Sequence, residues 1–211
     1  QIQQLLSERY FDFNILHFME KLKEQHGYQI SHDTLLRWAH EKNLVKRART
    51  RRRPKIRRLR MRMPKFGMML QMDGSHHRWL GPYGSELCLV GVIDDATSRC
   101  LWAELFTTED SISVLTVMQK VVEEFGAPEL LYVDRASHFG NNVQKGRGLI
   151  WKEEKTDLQR AMQDIGTRVL FATSPQAKGR IERMWNTFQD RLIPELRMRR
   201  INGMDQANAF I

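Results

Sequence analysis

The chain contains almost no cysteine: Cys88 and Cys100 are the only two among 211 residues, and they do not form a CxxC pair. A disulfide framework is thereby excluded, and the two are expected to make no zinc site either. Both residues are expected to act as small buried hydrophobes in a reduced, cytoplasmic protein. Long apolar runs are also missing. None approaches the roughly 18 residues needed to cross a bilayer, and no signal-peptide pattern opens the chain. Apolar content is nevertheless too high for disorder, at 41% with ten Phe and five Trp. That composition, at this length, fits one sizeable core with a small accessory domain.

Acid is absent from one stretch. Residues 46–65, "KRARTRRRPKIRRLRMRMPK", hold twelve Lys/Arg and no Asp or Glu. The formal charge of the chain is +9, yet outside this stretch 22 basic residues face 25 acidic ones, about −3. The positive excess therefore sits in one segment, which cannot pack on itself and should stay extended until it meets a polyanion. A membrane-surface helix would need a Trp/Phe/Leu face that this stretch lacks. Nucleic acid is the better partner, because neutralised phosphates release counterions. Arg51, Arg52, Arg53, Arg57 and Arg58 are the candidate phosphate contacts, and a plain solvated linker is the alternative.

This basic arm, 46–66, divides the chain. Upstream, residues 1–45 pattern as two short helices. Ile15, Phe18, Met19 and Leu22 share one face of the first, with Gly27 as its stop. Ser31 is a good N-cap for the second, Asp33 suits its first turn, and Leu35, Leu36 and Ala39 supply its buried side. Two helices around a tight turn read as a helix-turn-helix. His32, Thr34, Arg37 and His40 would then face a DNA groove. An ordinary helical hairpin would give the same pattern.

Downstream, strands are expected at 68–75, 86–95, 98–106 and 129–134, the second and third joined as a tight hairpin. A helix capped by Thr108 should carry Ile112, Leu115, Val122 and Phe125 and end at Gly126 and Pro128. A Gly/Lys-rich loop at 140–152 precedes a helix with Leu158, Ala161, Met162 and Ile165 inward. The strand "TRVLFAT" and a long closing helix complete the order β-β-β-α-β-α-β-α. That order implies an α/β fold with a mixed sheet flanked by helices. Pro194 should kink or end the closing helix.

Three acids stand out. Asp73 lies near the end of the first strand, and Asp134 ends the fourth, where ligands of open α/β sheets collect. Glu182 lies in the first turns of the closing helix, flanking a stripe of Ile181, Trp185, Phe188 and Leu192. Phosphodiester cleavage develops charge on the attacking and leaving oxygens, and two Mg²⁺ ions about 4 Å apart stabilise both. A few carboxylates on rigid elements suffice to hold them. Each acid also has a plain reading: a turn former at Asp73, a loop residue at Asp134, an ion-pair partner of Lys178 at Glu182. Asp94-Asp95 is expected to serve a turn. His76 and His77, adjacent on a strand, point to opposite faces.

The segments "QMDGSHHRW", "GVIDDATSR", "LYVDRASHF" and "SPQAKGRIERMWNTFQDRL" together resemble the integrase catalytic core of DDE transposases from bacterial insertion sequences, ISNCY type above all. The likeness is strong over 67–200. It implies a ribonuclease-H-like fold, a triad of Asp73, Asp134 and Glu182, and Mg²⁺, with Mn²⁺ as substitute. It further implies cleavage at transposon ends followed by strand transfer into target DNA, by a homo-oligomer on double-stranded DNA. Lys178 and Arg180 become phosphate contacts at a helix N-terminus. The 48 positions from Asp134 to Glu182 are more than in many relatives, and the 140–152 loop accounts for the excess. Because Gln1 opens the chain and "NGMDQANAFI" closes it with little to pack on, 201–211 is expected to begin a further, truncated segment. A non-catalytic DNA-binding regulator or decayed transposase would need the helices and the arm but not the three acids.

Overall fold

In the computed structural model the described residues are 1–45, 61–135, 139, 142–145, 148–151, 155–172 and 179–211. They form two compact units, one drawing on 1–45 and 187–200, the other on 61–186 and 201–211.

The first unit is helical. After α1 (Ile2–Gln4) and a π-helical turn (Leu5–Arg9) come α2 (Ile15–His26) and α3 (His32–Glu41). Asn14 caps α2 by accepting from the His17 amide, and Gly27 ends it at φ +70, a left-handed conformation that glycine adopts without strain. Ser31 caps α3, as its sequence signature predicted. Tyr10, Phe13, Ile15, Phe18, Leu22, Leu35 and Ala39 form the core. Residues of the closing helix join this unit through ion pairs and a histidine hydrogen bond. Glu195 meets His17 at 2.8 Å and Lys21 at 2.7 Å, Arg191 meets Glu20 at 2.8 Å, and Arg197 meets Asp12 at 2.6 Å.

The second unit is a five-stranded mixed sheet in the order β3-β2-β1-β4-β7. Its strands are β1 (Met69–His77), β2 (Leu87–Asp94), β3 (Cys100–Phe106), β4 (Leu130–Val133) and, after a separate pair, β7 (Arg168–Phe171). β1, β2 and β3 pair antiparallel, while β4 runs parallel to β1 and to β7. Together with its flanking helices this is the ribonuclease-H-like integrase-core fold expected from the sequence. Met72, Cys88, Val90, Val92, Leu131 and Val133 form one side of the core. Against it pack α4 (Ser111–Phe125) and α5 (Asp157–Asp164). α6 (Gly179–Met198) contributes its first turns to this unit.

Several local expectations need correction. Asp110, not Thr108, caps α4, because Ser113 returns its hydroxyl to the Asp110 amide and completes a reciprocal capping box. α4 buries Val114, Val117, Met118 and Val121, packs Leu115, Val122 and Phe125 partly buried against the same core, and leaves Ile112 exposed. Ile165 is exposed rather than inward, since α5 ends at Asp164. The turn after β2 spans five residues, with Ser98 at positive φ. Within 140–152 a two-stranded pair forms, β5 (Asn142–Lys145) with β6 (Gly148–Trp151). Pro194 does not end α6, which continues to Met198. The final residues do pack: α7 (Met204–Phe210) buries Ala207, and the Asn208 side chain bonds both the amide and the carbonyl of Leu105 on β3.

Candidate active site

β1 and β4 bring two of the predicted acids together. Their parallel register pairs Met69 with Leu130, Leu70 with Leu131 and Gln71 with Tyr132. Continued two residues, the same offset sets Asp73 beside Asp134, which immediately follows β4. In-register residues on neighbouring strands point to the same face, with backbones about 4.8 Å apart. Both aspartates are half-buried.

The third acid arrives through a tryptophan. Trp185 Nε1 donates to Asp73 Oδ2 at 3.1 Å. Its ring can reach that far only because β2 carries Gly91 opposite Asp73. A Cβ at Gly91 would stand 2.6 Å from Trp185 Cη2. A glycine inside a fully buried strand marks such a close approach. Glu182 lies three residues before Trp185, about 60° further round the helix. Glu182 was expected to flank the buried stripe without facing open solvent, but it is exposed. Ile181, Met184 and Trp185 take the buried side of these turns, and Glu182 projects past its edge.

Asp95, wholly buried, anchors the start of α6. It accepts from Arg180 Nη1 at 2.8 Å, Gln71 Nε2 at 2.7 Å and the Met63 amide at 2.9 Å. Arg180, expected at a phosphate, gives its Nη1 to this buried carboxylate. Asp94 accepts from the Thr97 amide and hydroxyl at 2.7 Å each and from the Gly67 amide at 3.1 Å. The Asp94-Asp95 pair is thus structural, as its place before a turn predicted.

On α3, His32 and Arg37 are exposed, while Thr34 sits within the Ser31 cap. His40 is half-buried, with its Nδ1 covered. Arg51, Arg52, Arg53, Arg57, Arg58, Lys178 and His138 lie outside the described residues. Burial pushes the Cys88 thiol up to about 12 and the Cys100 thiol to about 11, so both are poor nucleophiles.

Sequence reasoning assigned Trp185 to packing and overlooked its hydrogen bond to Asp73. Two signals could have found it: its place one turn after Glu182, and the lone glycine in "LCLVGVID".

No protein-family model matches the chain. It is 35% identical over 213 residues to y4bF of Sinorhizobium fredii, provisionally named a transposase, covering 98% of this chain and 44% of that protein. It is 27% identical over 241 residues to the Streptococcus pneumoniae transposase for insertion sequence IS1202, covering all of this chain and 51% of the relative. The chain thus spans about half the length of the curated relatives it matches. In fold it is similar to the HTLV-2 integrase catalytic core domain solved with magnesium, at TM-score 0.51 and 14% identity, covering 69% of this chain and 83% of that one. The simian T-cell lymphotropic virus intasome, solved with a PP2A regulatory subunit, matches at TM-score 0.57 and 15% identity over all of this chain and 66% of its own. The chain is transposase-like in sequence and integrase-like in fold.

Proposed function

We propose that the chain carries the catalytic core of a DDE transposase, of the ISNCY type, with Asp73, Asp134 and Glu182 as its catalytic carboxylates. One observation carries the reading. The β1–β4 register sets Asp73 beside Asp134, and Trp185 ties Asp73 to the helix that bears Glu182. The kinship to named transposases supports it.

The donor set suits a hard divalent cation: three carboxylates on two strands and a helix, open enough to solvent for a phosphodiester to approach. Mg²⁺, with Mn²⁺ as substitute, would be held by Asp73, Asp134 and Glu182. When bound, the metal supplies charge neutralisation at the attacking and leaving oxygens and activates the nucleophile. The protein's own part is positioning. The indole N–H of Trp185 occupies Oδ2 of Asp73 and fixes how that carboxylate turns. The Arg180–Asp95 pair fixes where α6 begins, and so where Glu182 projects.

The substrates are the transposon ends and a target duplex. Residues 1–45 act as the helix-turn-helix, with His32, Thr34 and Arg37 at the bases. The arm's Arg51, Arg52, Arg53, Arg57 and Arg58, together with Lys178, contact phosphates. Two ends must be joined, so a homo-oligomer on DNA is the working form.

Asp73→Asn, Asp134→Asn and Glu182→Gln, assayed with Mg²⁺ on DNA bearing the element's ends, are each expected to abolish cleavage and strand transfer while leaving DNA binding intact. Full activity in Glu182→Gln would remove that residue from the site. A wild-type protein that binds the ends and never cuts them would favour the regulator reading. Trp185→Phe keeps the ring on Gly91 but deletes the N–H, and is expected to lower kcat about tenfold with little loss of stability.

A further inference from the structure

A second constellation lies on the other side of β1. Side chains alternate along a strand, so Asp73 faces one side while Gly74 and His76 face the other. The antiparallel register sets Cys88 of β2 directly across from His76. Glu109, from the β3–α4 connection, lays its carboxylate over Gly74. Any Cβ at that position would run into it. His76 Nε2 stands 3.5 Å from Glu109 Oε2. One ligand atom from each of His76, Cys88 and Glu109 lies within 4.8 Å of the other two.

An imidazole nitrogen, a thiol sulfur and a carboxylate oxygen are the donors that tetrahedral Zn²⁺ accepts. Ligand atoms around a bound zinc stand about 3–4 Å apart, so these three need only small side-chain adjustments to close on an ion. The depth gradient also fits. Cys88 is fully buried, the Glu109 side chain is 14% exposed and that of His76 52%, so an ion can enter past His76 and keep an open fourth position.

We propose that His76, Cys88 and Glu109 form a thiolate-containing site for Zn²⁺ that ties β1, β2 and the β3–α4 connection together behind the strand bearing Asp73. On binding, the thiol proton leaves to solvent and a sulfur–metal bond forms. Softness separates this site from the carboxylates on the opposite face: Mg²⁺ takes oxygen donors, whereas a thiolate selects zinc-like ions. The assignment does not depend on the catalytic reading.

Cobalt(II) alone is the probe, because a thiolate ligand gives it a charge-transfer absorption that oxygen and nitrogen donors do not. The protein is expected to take up one equivalent with that band, and Zn²⁺ should displace it. Cys88→Ser should remove the band, whereas Cys100→Ser and Asp73→Asn should retain it. His76→Ala, at an exposed position, and Glu109→Gln should each weaken binding by about 100-fold or more, beyond the 10–100-fold typical of a merely supporting residue. Circular dichroism on each variant reports its folding. A wild-type protein without the band, a band that survives in Cys88→Ser, or unchanged affinity in a folded His76→Ala would each overturn the proposal.

Discussion

In the helical unit charged groups meet across the sequence, whereas in the sheet unit the buried acids meet mainly neighbours on adjacent strands and turns. Glu195 reaches back to His17 and Lys21, and Arg197 to Asp12, which joins 187–200 to the first helices. Asp94 is satisfied by Thr97 and the Gly67 amide, and Asp95 by Gln71, the Met63 amide and Arg180. The helical unit thus depends on ionisation to hold two distant segments together. The sheet unit uses buried carboxylates to fix a turn and a helix start within an apolar core. The same residue types give an acid-sensitive clasp in one place and a rigid frame in the other.

The largest expected effect lies in the sheet unit. Asp95→Ala takes the acceptor from Arg180, Gln71 and the Met63 amide at once, and removes the buried carboxylate that pairs with the largely buried Arg180 guanidinium. Removing one member of such a pair costs about 3–5 kcal/mol. Denaturant unfolding measures it, and a loss below about 1 kcal/mol would erase the distinction drawn between the units.

Glu195→Gln should cost less, about 1–3 kcal/mol, because the amide keeps part of the hydrogen bonding to Lys21 and His17. The loss should be local. Amide exchange should accelerate in α2 while β2 is unchanged, and equal acceleration in both would show that the clasp is not confined to the helical unit.

The smallest effect near neutrality is that of pH. Burial holds His17 below its ordinary value of 6.5, outweighing the hydrogen bond to Glu195. Burial alone would raise Glu195, but hydrogen bonds from Lys21, His17 and Arg199 outweigh it and bring the carboxyl from 4.5 to about 2. Both groups have depressed folded-state values, so the stability they contribute is present above the ordinary value and is lost as pH falls. Loss should begin below pH 6.5 through His17 and deepen from 4.5 towards 2 through Glu195. Exchange protection of α2 and α3, followed on acidification, checks the sign. Rising protection would reverse the account.

Much of the fold was legible because the signals were local. Ser31 and Gly27 mark helix ends through their own hydrogen bonds and dihedrals. The succession of strands and helices along the chain followed from which apolar runs alternate with helices. Misreadings arose where two local signals competed. Thr108 and Asp110 are both capping residues, and only the reciprocal bond from Ser113 selects Asp110. The apolar content of α4 allows more than one face, so the choice of Val114 and Val117 over Ile112 was settled by what the sheet offered. Of the candidate site, the acids were visible as residues near strand ends, but their shared face was not. Arg180 shows the limit well: beside Glu182 in sequence, it pairs in space with Asp95, 85 positions away.

By itself the sequence determined the segregation of positive charge into 46–65, the helix caps and the succession of strands and helices, because each depends on neighbours within a few residues. Only the tertiary structure decided the β1–β4 register that carries Asp73 towards Asp134, the bond from Trp185 to Asp73, and that His76 turns away towards Cys88 and Glu109. The reason is register. A slip of one residue between β1 and either neighbour would exchange the two faces, and the pairing that prevents it is made by strands far apart in the chain.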